Sequence, residues 1–219
     1  MDARTLGQFV EQEHVLDDLA AMIAEINNRA GRESKRLGKV SCLTCTAAKA
    51  CCSSIVVARF YEGIVVAAQL RRESRDTPEL RAQLAAAAAE MEAADPYSWR
   101  KPCVFLDARE RCTIYASRPT PCGILYVYSP ATACSEPLAK IRAYVPDAER
   151  AVAFELEDKV RERLSLRKKV GRRYIGVLPR MVLLALEIWD RTDFRDALRA
   201  HPWPTDAEAA RWDSRSASD

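Results

Sequence analysis

The stretch PCVFLDARERCTIYASRPTPC, residues 102–122, decides how this chain reads. Elsewhere apolar residues recur at steps of three and four; here that period stops. Pro102, Pro119 and Pro121, with Pro96 and Pro130 at the edges, remove backbone donors and break any helical run. Val104-Phe105-Leu106 and Thr113-Ile114-Tyr115 flank the polar Asp107-Ala108-Arg109-Glu110, the pattern of a short β-hairpin. Hairpin ends bring Cys103 and Cys112 together, and Cys122 follows behind two stiffening prolines. The stretch is an irregular, cysteine-bearing insert.

Helical text surrounds it. Leu16, Leu19, Ile23, Ile26 and Ala30 mark one helix face, with Gly31 and Gly38 bracketing its expected end. A second helix is expected from Ile55 to about Arg75, with Val56, Phe60, Ile64, Ala67 and Leu70 on one side. Thr77-Pro78-Glu79 supplies an N-cap, a first-turn proline and a first-turn acid for a third helix. That helix carries Leu80, Leu84, Ala88 and Met91 and stops at Asp95-Pro96; its alanine run, 85–89, points to close packing. Val152, Leu156, Val160 and Leu164 form a further stripe, and a last helix is expected from Pro179 through Leu184, Ile188, Phe194 and Leu198. The fold class is therefore mainly α: a helical bundle with an irregular cysteine-rich insert containing a short β-hairpin. One domain is expected over 1–204, with its cysteine core at 42–134, followed by a polar, fraying tail at 205–219.

The chain has eight cysteines. Cys42-x2-Cys45-x5-Cys51-Cys52 forms a first group in a loop between helices, and Cys103, Cys112, Cys122 and Cys134 form a second. A C-x2-C knuckle lets two thiolates approach one ion across a tight turn, and zinc or iron accepts four such sulfurs near tetrahedral geometry. Neighbouring side chains point different ways, so Cys51 and Cys52 serve two centres more easily than one. Cys52 also lies near a helix start, which favours its thiolate form. The two groups are expected to interleave, as two four-thiolate centres or one multinuclear centre, with the partition of ligands open. Zinc and iron both suit this donor set, and an iron–sulfur cluster remains an alternative.

Disulfides are disfavoured. Met1-Asp2-Ala3-Arg4 runs into Gln12, Glu13 and His14 without the apolar core of a secretory signal, so a cytoplasmic, thiol-reducing location is expected. The longest apolar stretch, 181–189, is too short to span a bilayer. A net charge of +3 demands neither nucleic acid nor a membrane surface as partner. The basic block Arg161, Arg163, Arg167, Lys168, Lys169, Arg172 and Arg173 reads as a solvated helix face before a nucleic-acid surface, and a protein partner is left open. His14 and His201 lack ligand-like neighbours and read as structural. Asp107 and Glu110 read as turn residues. No phosphate loop, dinucleotide fingerprint or nucleophile elbow is present in the sequence.

The combination of Cys42-Leu43-Thr44-Cys45, Cys51-Cys52, Pro102-Cys103-Val104-Phe105-Leu106, Cys112-Thr113-Ile114-Tyr115 and Arg118-Pro119-x-x-Cys122 resembles the YkgJ-type cysteine-cluster family of zinc- or iron-chelating domains. The resemblance covers residues 42–122. It departs from the family in a long spacer before Cys51, in Gly123 where a basic residue often follows, and in Arg111 where a glycine is common. It implies that Cys42, Cys45, Cys51, Cys52, Cys103, Cys112 and Cys122 are metal-ligand candidates, and Cys134 joins them from the grouping of the eight cysteines. A four-thiolate zinc site carries a formal charge of about −2, so cations nearby would stabilise it. Arg118 is placed for that role, Arg100 and Lys101 precede Cys103, and Tyr115 is placed to pack over the centre or donate its hydroxyl to a sulfur. The expected function is a metal-binding protein whose centre ties loops to a helical scaffold. The alternatives are an iron- or iron–sulfur-dependent enzyme modifying a protein or small molecule, and an interaction module with structural zinc.

Overall fold

The structure, a computed structural model, describes residues 4–37, 50–96, 98–124, 126–127, 136, 143–144, 158–164 and 173–213. A short helix, Leu6–Gln12 (α1), and a long one, Val15–Leu37 (α2), come first. Thr5 caps α1, accepting from the Gln8 amide while the Gln8 side chain accepts from the Thr5 amide. His14 sits between the two helices in a left-handed conformation, φ 52°, so it belongs to a turn and not to the helix interior. Along α2, Val15, Leu19, Ile23 and Ile26 are buried on one face, and the helix passes Gly31 and ends at Leu37, between the two glycines that bracket its expected end. A lone glycine lowers helix propensity without stopping a long amphipathic run.

A 3-10 turn over Ala50–Ser53 leads to the strand Val57–Arg59 (β1), which runs directly into Phe60–Arg72 (α3). Sequence periodicity alone extends α3 back to Ile55. The backbone there instead pairs antiparallel with a distant segment: Val57 faces Val177, Ala58 faces Gly176 and Arg59 faces Ile175. The Phe60 amide continues the ladder to the Tyr174 carbonyl. Thr77 caps the next helix, Pro78–Ala93 (α4), accepting from the Leu80 amide with Pro78 in the first turn. Leu84, Ala88 and Met91 are its buried face, as the sequence indicates.

The insert follows α4. It contains a 3-10 turn, Tyr115–Ser117, a short helix, Thr120–Ile124 (α5), and the two-residue strands Tyr126–Val127 (β2) and Ala143–Tyr144 (β3), which pair antiparallel. The expected hairpin is present as a single antiparallel bridge between Leu106 and Cys112. Residues 158–163 are helical (α6), with Val160 and Leu164 buried; Val152 and Leu156 of that stripe lie outside the described residues.

The strand Ile175–Val177 (β4) then feeds Leu178–Ile188 (α7). Two strand–helix units thus meet through their strands, and α3 crosses α7 closely. A Cβ at Gly63 would lie 2.4 Å from the Met181 carbonyl oxygen, so only glycine admits this approach. Nine of the residues of α7 are buried, which makes it, with α3, the centre of the core.

The long last helix expected from Pro179 to Leu198 is two helices, α7 and Phe194–Ala200 (α8). The Trp189 carbonyl accepts the Gly7 amide at 3.0 Å, where a continuing helix would use it internally. Arg191 forks onto both Asp193 oxygens at 2.8 and 2.7 Å, closing the turn. The tail expected to fray from residue 205 is helical over Asp206–Asp213 (α9), with Ala209 buried. Trp203 anchors it: the ring is buried against Phe60 and Tyr174, and its indole N–H donates to the Leu198 carbonyl at 2.7 Å. His201 stacks edge-on against the same ring, in keeping with its structural reading. Among the described residues, no helix is long and apolar enough to cross a membrane.

Ion pairs lace α4 to α7. Arg180 forks onto both Glu92 oxygens at 3.0 Å, and Asp76 receives Arg81 at 2.7 and 2.9 Å and Arg71 at 3.0 Å. Arg81 also donates to the Leu186 carbonyl. Chiefly the Arg81 hydrogen bonds, opposed by burial, hold the Asp76 carboxyl below its usual range. A depressed native value contributes stability above the unfolded pKa and loses it as pH falls through the native one. Asp76→Asn is therefore expected to cost about 1–2 kcal/mol near neutral pH. Urea unfolding should show the gap to the wild type narrowing as pH falls below the ordinary aspartate range; a gap that stays equal from neutral to acid pH would contradict the assignment.

Candidate metal centre

Four candidate ligands have described side chains: Cys52, Cys103, Cys112 and Cys122, all thiols and none in a disulfide. Cys42, Cys45 and Cys134, and the side chain of Cys51, lie outside the described residues. Among the described residues, no three His, Cys, Asp or Glu side chains stand together closely enough to hold an ion.

What the structure does bring together is two cysteine segments far apart in sequence. The Cys103 amide donates to the Cys52 carbonyl at 2.7 Å, joining the 3-10 turn of the first cysteine group to the start of the second. The turn after Cys103 then folds back: the Leu106 amide bonds the Cys103 carbonyl, the Thr113 amide bonds the Phe105 carbonyl, and Leu106 bridges Cys112. Cys103 and Cys112 are both partly buried and pack against the main core. Burial pushes the Cys103 thiol up, the Phe105 backbone opposes this in part, and the neighbouring Cys112 raises it further. A Cys103 thiol so placed resists ionising without a cation beside it, and a bound divalent ion would offset both the burial and the neighbouring sulfur. The donor set fits zinc or iron on chemical grounds. Cys122 stands apart in character: it lies on α5 and is exposed.

The tip of this turn is held by its own residues. Asp107 accepts the Arg109 and Arg111 amides, each at 2.8 Å, and the Arg111 guanidinium at 2.8 Å. These bonds, the Arg111 amide first, lower its carboxyl from the usual value. Glu110 adopts φ 57°, which lets the chain reverse towards Cys112. Both acids thus act as turn residues.

Helix α3 secures the rest. Its C-terminal end reaches over the Cys112 side: Arg75 donates to the Thr113 carbonyl at 3.0 Å and to the Thr113 hydroxyl at 2.7 Å. Gln69 donates to the same carbonyl at 3.4 Å and accepts the Ser117 hydroxyl. At the other end, Glu62 is fully buried; Oε2 accepts the Arg59 amide and Oε1 the Thr120 amide, both at 2.7 Å. Glu62, Gln69 and Arg75 escape a reading that looks only for ligands. The available signal is a polar residue inside an otherwise apolar helix, as at Gln69 within 64–70.

The cations expected around the centre have identifiable partners. Arg118 stacks over the Tyr115 ring at 4.4 Å, and Tyr115 is 64% exposed. Arg100 donates to the Trp99 and Glu136 carbonyls, while Lys101 pairs with Glu90 at 2.6 Å and lies over the Trp99 ring. The last two pin the segment leading into Cys103 against α4. In the basic block, Arg161 pairs with Asp158 and Arg163 with Asp18, and Arg173 donates its amide to Pro204; positions 167–172 lie outside the described residues.

Residues 41–138 match the family described as "CxxCxxCC: Putative zinc- or iron-chelating domain". The match takes in all eight cysteines and supports metal binding of the zinc or iron type. No curated protein and no solved structure matches the chain. In the metal-free, reduced CxxCxxCC segment, timed iodoacetamide labelling near neutral pH should modify exposed Cys122 first and Cys103 last of the four described thiols. Equal rates at Cys103 and Cys122 would contradict the environments described.

Proposed function

We propose that this chain is a cysteine-cluster metal-binding protein in which thiolates hold zinc or iron and thereby tie the irregular insert to the helical scaffold. The observation that carries this reading is the junction of Cys52 with Cys103, continued to Cys112 across the hairpin bridge. Segments separated by half the insert and a whole helix pair are held side by side at their cysteines. Cys52, Cys103, Cys112 and Cys122, with Cys42, Cys45, Cys51 and Cys134, are the ligands the reading assigns. Arg118 and Tyr115 are assigned to the surroundings of the centre, where the guanidinium offsets thiolate charge. The ion, when bound, supplies a covalent-strength cross-link between loops. The protein's own residues do the rest: Asp107 shapes the turn, and Gln69 on α3 and Arg75 in the turn after it hold the Cys112 arm.

Eight thiols exceed the four that one closed tetrahedral site accepts, which favours two centres or a cluster over a single structural zinc. An iron–sulfur or iron-dependent enzyme is the second reading on that count. A cytoplasmic location accords with unoxidised thiols.

Anaerobic purification with metal quantitation and a visible spectrum tests both readings. Zinc or iron in stoichiometric amount is expected, and Cys103→Ser or Cys112→Ser should lower it. A brown preparation with sulfide-bound iron selects the iron–sulfur reading, a colourless zinc protein the structural one. A protein containing neither metal would reject the proposal.

A further inference from the structure

We propose that Glu62 is a positioning residue for the metal centre: its buried carboxyl fixes the helix carrying Cys122 against the segment that follows Cys52. The inference rests on the metal-binding reading above and adds a residue that contributes no ligand atom.

Burying a carboxyl group is costly unless its oxygens are well satisfied, so its retention at a fully buried site calls for a reason. Starting α3 is only half of one. Glu62 stands at the third position of α3 and accepts the Arg59 amide, an ordinary helix-start arrangement that an exposed glutamate could make equally well. The other oxygen does something a helix start does not require. It reaches 58 residues along the chain to the Thr120 amide, at the first position of α5.

Thr120 is the hook its segment offers. Pro119 and Pro121 on either side have no amide hydrogen, so Thr120 supplies the one backbone donor of 119–121, and Glu62 takes it. The Thr120 hydroxyl, fully buried, has no hydrogen-bond partner among the described residues, and the amide is the group that Glu62 secures. First-turn amides of a helix have no internal acceptor, so Glu62 caps α5 from outside. Cys122 follows two residues later, its amide closing the turn onto the Pro119 carbonyl. On the other side, Arg59 lies seven residues beyond Cys52 at the end of β1. One side chain therefore bonds both arms that bring Cys52 and Cys122 to the scaffold. Groups that orient ligands in this way typically change metal affinity tenfold or more when altered.

The test is a double-mutant cycle on the full chain with cobalt(II) as probe, read by thiolate-to-cobalt absorption and by competition for the ion. Glu62→Gln is expected to weaken cobalt binding about tenfold or more and to reduce the charge-transfer band, as Cys122→Ser does. Because Glu62 acts through Cys122, Glu62→Gln/Cys122→Ser is expected to bind no more weakly than Cys122→Ser alone. Wild-type affinity and spectrum in Glu62→Gln, or a loss that adds in full to that of Cys122→Ser, would overturn the inference. So would unchanged binding by Cys122→Ser, with metal binding by the chain left standing. A wild-type protein that takes up no cobalt, zinc or iron would overturn the metal-binding reading together with the inference. If circular dichroism shows Glu62→Gln unfolded without metal, hydrogen exchange in the wild type decides. Metal should slow exchange in the peptide holding the Thr120 amide, and no slowing there would overturn the proposal.

Discussion

The close crossing of α3 over α7 at Gly63 is the constraint on which the rest of the molecule depends. A side chain at that position would strike the Met181 backbone, so the two helices meet at a distance only glycine permits. Their strands, β1 and β4, pair just before the crossing and set its angle and register. Once α3 is fixed, its polar residues become fixed points too. Glu62 at one end and Gln69 near the other, with Arg75 in the turn that follows, reach out of the core and hold the 120–124 helix and the 113–117 turn. The cysteine segments are thus suspended from a rigid rod, which is how precise ligand placement is reached on irregular loops.

This arrangement divides the labour between apolar burial and directional bonds. Leu, Val, Ile and aromatic side chains of α3 and α7 supply most of the free energy, at about 1.5–3 kcal/mol for each fully buried large side chain. Among its described residues, the insert has little of that. Phe105 and Ile114 are its buried apolar anchors within the main core, and Trp99 packs with Ile55, Ala88 and Met91 nearby. Between those anchors the turn is shaped by the Asp107 bonds and by the left-handed Glu110. On the proposed reading, an ion held by Cys52, Cys103 and Cys112 would replace burial that the loop does not provide.

Much of the fold is legible in the sequence where the determinants are local. The Thr77-Pro78-Glu79 start of α4, the α2 stripe and the reversal at 107–110 follow from capping, periodicity and turn chemistry, and the structure has each. The departures share a cause. Residues 55–59 look helical by period but are drawn into β1 by strand partners more than a hundred residues away. The helix expected to run past Trp189 stops because its carbonyl is taken by Gly7. The helix over 206–213 stands where the sequence reads as a fraying tail, because Trp203 just before it packs between Phe60 and Tyr174. In the site, cysteine spacing announces the ligand candidates, while Glu62 reads as one more helical acid until Thr120 is seen beside it. Partners distant in sequence leave no periodic trace.

The central claim is that sulfur atoms from separate segments close around one kind of ion. X-ray absorption at the zinc or iron edge of the purified, anaerobically handled protein measures this directly. The account predicts a nearest shell dominated by sulfur at about 2.3 Å. A shell made of nitrogen and oxygen alone, with no sulfur neighbour, would contradict it.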